Sequence, residues 1–273
     1  MAMTPDLPAI ALEVKAAQDS GAALQPFTSR WPDFDEAQAY ELAGLVHAAR
    51  LAAGARPVGR KIGFTNPDMW ALYGVREPVW GYVYDSTVEY LAGSRGVCRL
   101  GVFAAPRIEP EIVVHFHAAP PLTANPAEVL ACIDWIAHGF EIVQSHYPDW
   151  KFRAADTIAD AGMHARLLLG EPVPVSRLGS VLKAELENFT LRLSCEGALR
   201  EQGKGNKVLG GPLQAVAHLI AVLATQPHSR PLQAGELVTT GTLTAAPPIR
   251  AGETWTTTLQ GIALSGLSLK LEA

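Results

Sequence analysis

After Pro57 the chain changes from helix-forming to strand-forming sequence, and this change restricts it to folds that combine both kinds of element. Upstream, Asp35 and Gln38 have the capping-box spacing that starts a helix. The helix that follows carries four apolar residues at the spacing of a single helical face, Leu42, Leu45, Val46 and Ala49. We therefore predict a helical N-terminal region over residues 1–56.

Downstream, short apolar runs separated by turn residues predict a β-rich body. The predicted strands lie at residues 60–65, 80–85, 107–117, 140–143, 190–194, 237–240, 254–259 and 264–271. Two helices are predicted among them, one at residues 125–139 with Asn125 as its cap and Pro126 at its first position, and one at residues 212–225. The predicted fold class is α+β, with a helical N-terminal part and a mostly antiparallel β-roll body over residues 57–273.

Composition argues against two classes of partner. The formal net charge is −5 and the pI is about 5.9, and no cluster of Lys and Arg provides the basic face that nucleic acid requires. No stretch approaches the ~20 apolar residues of a membrane span, and the N-terminus lacks the basic and apolar regions of a signal peptide. The three cysteines are far apart, which indicates neither a disulfide framework nor a zinc site. We therefore expect a cytoplasmic protein that binds neither nucleic acid nor membranes.

Glu109 and Glu111 flank Pro110 in the predicted strand at residues 107–117. Because strand side chains two residues apart lie on one face, the two carboxylates emerge together, roughly 6–7 Å apart at their Cα atoms. Their like charges raise each pKa unless a cation is present, and such oxygen ligands suit Mg²⁺ or Mn²⁺. The alternative is a solvated strand face, on which glutamates commonly lie without an ion.

Two further charges occur in apolar surroundings. Glu141 lies in the predicted strand at residues 140–143, where a carboxylate without a partner is costly to bury, so we predict a site that it shares with Glu109 and Glu111. Lys61 lies in an otherwise uncharged run and is suited to stabilise an enolate or to move a proton. A lysine that reaches the surface along its apolar stem is the other interpretation of Lys61.

Other catalytic patterns are missing. Residues 203–207 lack the spacing of a P-loop, and no G-x-S-x-G elbow occurs. His115 shares the predicted face of Glu109, whereas His117 is interpreted as structural. We expect at most one of three further histidines to touch substrate: His138, His146 and His164.

Seven motifs occur in a fixed order along the chain. They are GRKIGFT (59–65), RIEPEI (107–112), FEIV (140–143), DWK (149–151), DTIAD (156–160), LGGPL (209–213) and GELVTTGT (235–242). Together they resemble the 2-oxopent-4-enoate hydratase and 4-oxalocrotonate decarboxylase branch of the fumarylacetoacetate hydrolase superfamily. The resemblance spans roughly residues 40–270, and the ordered set is far more specific than any single motif.

This resemblance implies a helical N-terminal part, a β-roll body and a homo-oligomer. It implies Mg²⁺ or Mn²⁺ held by Glu109, Glu111 and Glu141, with Lys61 as a catalytic residue beside the bound substrate. It further implies substrate contacts from residues within the shared motifs: Arg107, Lys151, Asp160 and Thr242.

Two positions depart from the hydratase pattern. Val79 stands where hydratases carry an aspartate before the aromatic-glycine pair, and decarboxylases more often have an apolar residue there. Ala161-Gly162-Met163 replaces the Asn-Ala-Ser that follows the Asp160 match in hydratases. Both changes remove polar groups near the implied substrate while they leave the carboxylates in place.

We interpret the chain as a divalent-metal-dependent lyase that acts on a small 2-oxo acid through a metal-bound enolate. The foremost reaction is hydration of a 2-oxo-4-enoate in the degradation of aromatic compounds. The same enolate also supports decarboxylation of the 4-oxalocrotonate type or C–C hydrolysis of an acylpyruvate such as maleylpyruvate or fumarylpyruvate. A non-catalytic partner subunit of a related enzyme is the remaining interpretation.

Overall fold

The computed structural model describes residues 5–122, 125–227 and 229–273, so residues 1–4 of the predicted helical region lie outside it. Within these ranges the helices are α1 (Leu7–Ser20), α2 (Phe27–Arg30), α3 (Glu36–Ala52), α4 (Trp70–Tyr73), α5 (Pro126–Ala131), α6 (Ala154–Ala159), α7 (Leu182–Asn188) and α8 (Pro212–Thr225). The strands are β1 (Pro57–Gly63), β2 (Val79–Tyr84), β3 (Val88–Tyr90), β4 (Arg95–Arg99), β5 (Arg107–Phe116), β6 (Ile133–Val143), β7 (His164–Leu169), β8 (Val173–Pro174), β9 (Thr190–Cys195), β10 (Ala198–Lys204), β11 (Leu237–Thr239), β12 (Thr254–Gln260) and β13 (Ser268–Glu272).

The described strands form two sheets. The larger has the order β2-β1-β11-β5-β6-β7-β3, with β8 also paired to β6, and the smaller has the order β10-β9-β12-β13-β4. Pairing is parallel for β1 with β11, β3 with β7 and β13 with β4, and it is antiparallel elsewhere. The predicted α+β class with a mostly antiparallel body is confirmed.

The N-terminal helices pack against the larger sheet. Asp35 and Gln38 form the predicted capping box at the start of α3, and Leu42 and Val46 on its inner face are buried. They share an apolar cluster with α1 and with residues of the body such as Ile158. The helices end at Ala52 and β1 begins at Pro57, while the division of the chain into two regions at residue 56 stays a prediction.

The predicted helix at residues 125–139 is wrong beyond its first two turns. Asn125 does cap a helix, but α5 ends at Ala131 and an eleven-residue strand, β6, begins at Ile133. From Ile136 onward every residue of β6 is buried, because β5 pairs along one edge and β7 along the other and both faces are covered. A strand buried on both faces loses the polar-apolar alternation that identifies strands in a sequence.

One segment, Gly205–Thr225, is long and apolar enough to span a membrane by length and composition, and 56% of its most apolar window is buried inside the fold. It includes α8, whose Leu213, Val216 and Leu219 belong to the central apolar cluster. This segment departs from the sequence-based expectation that no stretch approaches a membrane span. A buried core helix passes the same test, so the finding is weak evidence for a membrane span.

Candidate metal centre

Strands β5 and β6 bring three glutamates to one place. In their antiparallel register Glu109 lies opposite Glu141, and Glu111 lies two residues further along β5 on the same face. One carboxylate oxygen from each of the three residues lies within 4.8 Å of the others. The long-range pairing of two strands therefore assembles the cluster that the sequence predicted.

Burial and mutual repulsion shift the pKa values of these carboxyl groups. Burial and the Glu141 carboxylate raise the pKa of Glu109 to about 7, against the lowering influence of Lys61. Burial and the two other carboxylates raise the pKa of Glu111 well above its usual range. Burial also disfavours ionised Glu141, but Lys61 and His164 outweigh it and lower its pKa to about 2. A cation is therefore what allows all three groups to be ionised together.

Within the described part of the chain, Glu111 and Glu141 each have one carboxylate oxygen that accepts a hydrogen bond and one that does not. Glu111 Oε2 accepts from the backbone N–H of Gly241 at 2.8 Å, and Glu141 Oε1 accepts from Nδ1 of His164 at 2.7 Å. The other oxygens, Glu111 Oε1 and Glu141 Oε2, are buried and have no hydrogen-bond partner among the described residues. Buried polar atoms without partners are rare and costly, so these two atoms fit metal ligands.

The charge of the cluster matches a divalent ion. Three ionised glutamates carry −3 and the Lys61 ammonium carries +1, which leaves −2. Carboxylate oxygens are the ligands that Mg²⁺ and Mn²⁺ prefer. The donor set and the charge therefore both fit a divalent cation of this class.

Lys61 lies on β1 and is 2% exposed, with Nζ 3.2 Å from Glu141 Oε1. Burial alone would lower its pKa, but the three carboxylates raise it, so the side chain is held as an ammonium ion. Its methylene groups pack on Gly162, where an added Cβ would lie 3.2 Å from Lys61 Cδ. The loop of Ala161, Gly162 and Met163 has positive φ throughout, at 52°, 64° and 68°. This loop of strained backbone therefore packs against the side chain of Lys61.

A cleft opens beside the cluster. Lys61 and Glu109 line one part of it together with the hydroxyl groups of Thr65, Thr242 and Thr244. Its remaining lining is largely apolar: Phe64, Met69, Val143, Trp150, Phe152, Met163 and Ala246. The cleft therefore gives a small ligand access to Glu109 and Lys61.

The four predicted substrate contacts lie in different places. Thr242 lines the cleft, whereas the Arg107 guanidinium lies 4.0 Å from the ring centroid of Trp150 outside the lining. Lys151 is exposed, 3.5 Å from Asp149. Asp160 is buried, where it accepts from His146 at 2.7 Å and from Gln18 at 3.0 Å. Only Thr242 of the four borders the cleft, and the role of all four stays a prediction.

No histidine lines the cleft among the described residues. His115 pairs with Asp134 at 2.7 Å and stacks on Trp135, away from the carboxylate cluster. His138 Nδ1 donates to the backbone oxygen of Glu111, its Nε2 accepts from the hydroxyl of Thr257, and burial lowers its pKa to about 4. His164 does not line the cleft, and its Nδ1 donates to Glu141 Oε1 at 2.7 Å.

Sequence reasoning missed several residues of this site. Gly241 N–H and Glu111 are 130 residues apart in the chain, and no local pattern connects them. His164 was weighed only as a substrate contact, yet its partner is the carboxylate of Glu141. Trp150 and Phe152 line the cleft, and no sequence pattern indicates this, although Trp150 lies within one of the seven motifs. These residues are brought together by the fold alone.

Known proteins resemble this chain in sequence along most of its length. The family model described as fumarylacetoacetate (FAA) hydrolase, C-terminal, matches residues 77–265. A 2-keto-4-pentenoate hydratase from Paraburkholderia xenovorans is 30% identical over 249 residues, which cover 90% of this chain and 88% of that protein. A 4-oxalocrotonate decarboxylase from a Pseudomonas species is 32% identical over 219 residues, 79% of each chain.

A solved structure is similar over almost the whole chain. It is 4-oxalocrotonate decarboxylase from Pseudomonas putida G7 complexed with magnesium and adipate, with a TM-score of 0.87, 27% identity and coverage of 97% of both chains. The predicted fold is therefore confirmed from the N-terminal helices to the last strand.

Proposed function

The chain belongs to the fumarylacetoacetate hydrolase family, and on that premise we propose that it is a divalent-metal-dependent lyase that hydrates a small 2-oxo-4-enoate. The hydratase among its relatives supports the reaction, and the carboxylate cluster supports the metal dependence. Such a reaction belongs to the degradation of aromatic compounds, as the resemblance implies.

The observation that carries this proposal is the pair of buried, unpartnered oxygens in the cluster. We propose Glu109, Glu111 and Glu141 as ligands of Mg²⁺, with Mn²⁺ as the alternative ion. Glu111 Oε1 and Glu141 Oε2 would supply two of the ligand atoms, because each has no other partner among the described residues. A bound divalent cation would supply Lewis-acid stabilisation of negative charge on a substrate oxygen.

Lys61 is the proposed catalytic side chain. Its ammonium group is held beside the carboxylates and also borders the cleft, so it favours a negatively charged oxygen on the substrate. Thr242, which lines the cleft, and Arg107, on the face of β5 that carries Glu109, are proposed substrate contacts. Lys151 and Asp160 are proposed contacts on the family resemblance alone.

The test uses the protein before and after metal removal. Protein treated with EDTA, and the same protein restored with Mg²⁺, are incubated with 2-hydroxypenta-2,4-dienoate while its ultraviolet band is followed. We expect loss of the band only after restoration, with 4-hydroxy-2-oxopentanoate as the product by mass spectrometry. Inertness toward this compound, 4-oxalocrotonate and fumarylpyruvate alike would contradict the substrate class and favour a non-catalytic partner subunit.

A substitution tests the metal ligands directly. Glu111→Gln removes one ionised oxygen donor, so we expect its Mg²⁺ affinity to fall by about 100-fold or more in a calorimetric titration. Glu171→Gln is the matched control, because Glu171 is exposed and lies outside the cluster. Unchanged Mg²⁺ affinity in Glu111→Gln would contradict the assignment of the metal site.

Decarboxylation of a 4-oxalocrotonate-type acid is the second candidate function. Two observations favour it: the solved decarboxylase covers 97% of this chain, and the apolar Val79 stands where hydratases carry an aspartate. The product distinguishes the two reactions, because decarboxylation releases CO₂ and hydration does not.

We also propose that the protein is a cytoplasmic homo-oligomer, as the resemblance implies. Light scattering coupled to size exclusion measures the subunit number, and a mass of one chain at micromolar concentration would contradict the proposal.

A further inference from the structure

One wall of the cleft is a continuous set of aromatic rings. The ring centroids of Phe64 and Phe152 are 6.5 Å apart, and those of Phe152 and Trp150 are 6.2 Å apart. Tilted and edge contacts of this kind are the favoured geometry of packed rings. The flexible side chains of Met69 and Met163 line the same cleft. This wall offers apolar contact along a length of several carbon atoms.

Cationic groups are scarce in the cleft. Lys61 is the only cationic side chain among the described residues that line it, and it is already paired with Glu141 at 3.2 Å. Arg107 packs on the ring of Trp150 and does not itself line the cleft. A carboxylate placed against Phe64, Phe152 or Met69 would therefore lose its hydration without contact to any cationic side chain of the described lining other than Lys61.

The hydroxyl groups in the cleft are poor partners for a second carboxylate. Thr65 donates to the backbone oxygen of Thr240, Thr242 to that of Thr244, and Thr244 to that of Ala245. Each hydroxyl has a single proton, so what it still offers to a ligand is a lone pair, which repels a carboxylate oxygen.

Asn66 adds a neutral amide to the lining, and its Oδ1 already accepts from the backbone N–H of Asp68 at 3.1 Å. The polar lining therefore contains no second positive charge for a ligand.

The backbone conformation of the protein holds the aromatic wall in place before a ligand binds. Phe64, Trp150 and Met163 all have left-handed backbone, with φ of 54°, 56° and 68°. Such conformations are strained for residues with side chains and persist where the surroundings hold them in place, often at ligand sites. Trp150 is fixed further, because its Nε1 donates to the backbone oxygen of Ala105 at 3.0 Å.

From this arrangement we propose that the cleft selects 2-oxo acids whose tail is uncharged and apolar, with Phe64, Phe152 and Trp150 as the specificity-determining residues. The inference rests on the proposed function, because it takes the carboxylate cluster as the end that receives the 2-oxo acid group. The similar decarboxylase structure holds adipate, a dicarboxylate, and on this proposal the two proteins differ in the class of ligand. The tail that this cleft accepts ends in an alkyl group.

The test compares two ligands that differ only at the last carbon. Calorimetric titration of the full chain with saturating Mg²⁺ uses 2-oxohexanoate, which ends in a methyl group, and 2-oxoadipate, which ends in a carboxylate. We expect 2-oxohexanoate to bind at least about 100-fold more tightly, because the second carboxylate is desolvated without a cation. From 2-oxobutanoate to 2-oxohexanoate, affinity is expected to rise about fourfold for each added methylene.

Variants locate the selectivity at the wall. Met69→Lys adds a cation at a half-buried lining position and is expected to reduce the preference for 2-oxohexanoate at least tenfold, whereas Met69→Gln, of similar length but neutral, is not. Phe152→Leu shortens the aromatic wall and is expected to lower the gain per methylene. Thermal unfolding of each variant verifies that it is folded.

Binding that is equal for the two ligands, tighter for 2-oxoadipate, or absent for both overturns the inference. A ligand preference that is unchanged in Met69→Lys, together with a gain per methylene that is unchanged in Phe152→Leu, overturns the assignment to this wall. These readouts do not require turnover, whereas failure to consume 2-hydroxypenta-2,4-dienoate contradicts the proposed function. The two failures are therefore distinguishable.

Discussion

The two sides of the cleft are built in different ways. The glutamates of the cluster lie on β5 and β6, where regular antiparallel register sets the position of each side chain. The opposite wall comes from residues between strands and helices, and Phe64, Trp150 and Met163 adopt left-handed backbone to face the cleft. The comparison indicates a division of roles: regular strands hold the groups proposed for the chemical step, and strained loops hold those proposed to contact the rest of the ligand.

The largest effect is expected on the strand side. Glu141→Gln removes a charge that faces Lys61 and His164 and that we propose as a ligand of the ion, so we expect Mg²⁺ affinity and kcat/KM to fall about 1000-fold. Glu89→Gln, on the exposed strand β3, is the control and should change neither value. Calorimetry measures the Mg²⁺ affinity and initial rates measure kcat/KM. A loss below tenfold in either value would contradict the proposal that the strand register places Glu141 as a ligand of the ion.

A smaller effect on Mg²⁺ affinity is expected for His164, which contacts the carboxylate of Glu141. His164→Ala removes the proton that Nδ1 donates to Glu141 at 2.7 Å, so we expect Mg²⁺ affinity to fall about 10–100-fold. His115→Ala removes a histidine–carboxylate contact of the same length, to Asp134, which lies outside the cluster. Equal Mg²⁺ affinity for the two variants would show that His164 has no particular role in orienting the ligand.

The smallest effect is expected on the loop side. Gly162 and Gly74 have φ of 64° and 63°, so substitution by Ala is expected to lower the free energy of unfolding by about 1 kcal/mol in each. Only Gly162→Ala places a Cβ near Lys61, at 3.2 Å from Cδ, and we expect it alone to lower kcat/KM, by roughly tenfold. Denaturant unfolding and initial rates separate these effects, and equal rates would show that the loop does not position the lysine.

The carboxylates were predictable because strand geometry is local. Glu109 and Glu111 share a face in any regular strand, and Glu141 lies in an apolar run that marks it as buried. Even so, the segment that precedes Glu141 was predicted as a helix, because a strand buried on both faces has no two-residue alternation. The register that brings Glu141 opposite Glu109 comes from pairing across the sheet, which no single segment encodes.

The wall of the cleft was not predictable for a related reason. Aromatic residues such as Phe64 and Phe152 read as core residues in a sequence, and nothing local indicates a left-handed backbone at Phe64 or Trp150. These conformations exist because the surrounding structure imposes them. The N–H donor of Gly241 and the ring of His164 depend likewise on contacts between distant parts of the chain.

Strand β11 separates β1 from β5 in the centre of the larger sheet, although it follows both by more than 100 residues in the chain. Until Leu237 is made, the edges of β1 and β5 that pair with β11 in the finished sheet have no partner strand there. Gly241, the hydrogen-bond donor to Glu111, is made only a few residues later. A chain that stops short of this point lacks both the strand that completes the sheet and the N–H donor to Glu111, and its open sheet edges favour aggregation.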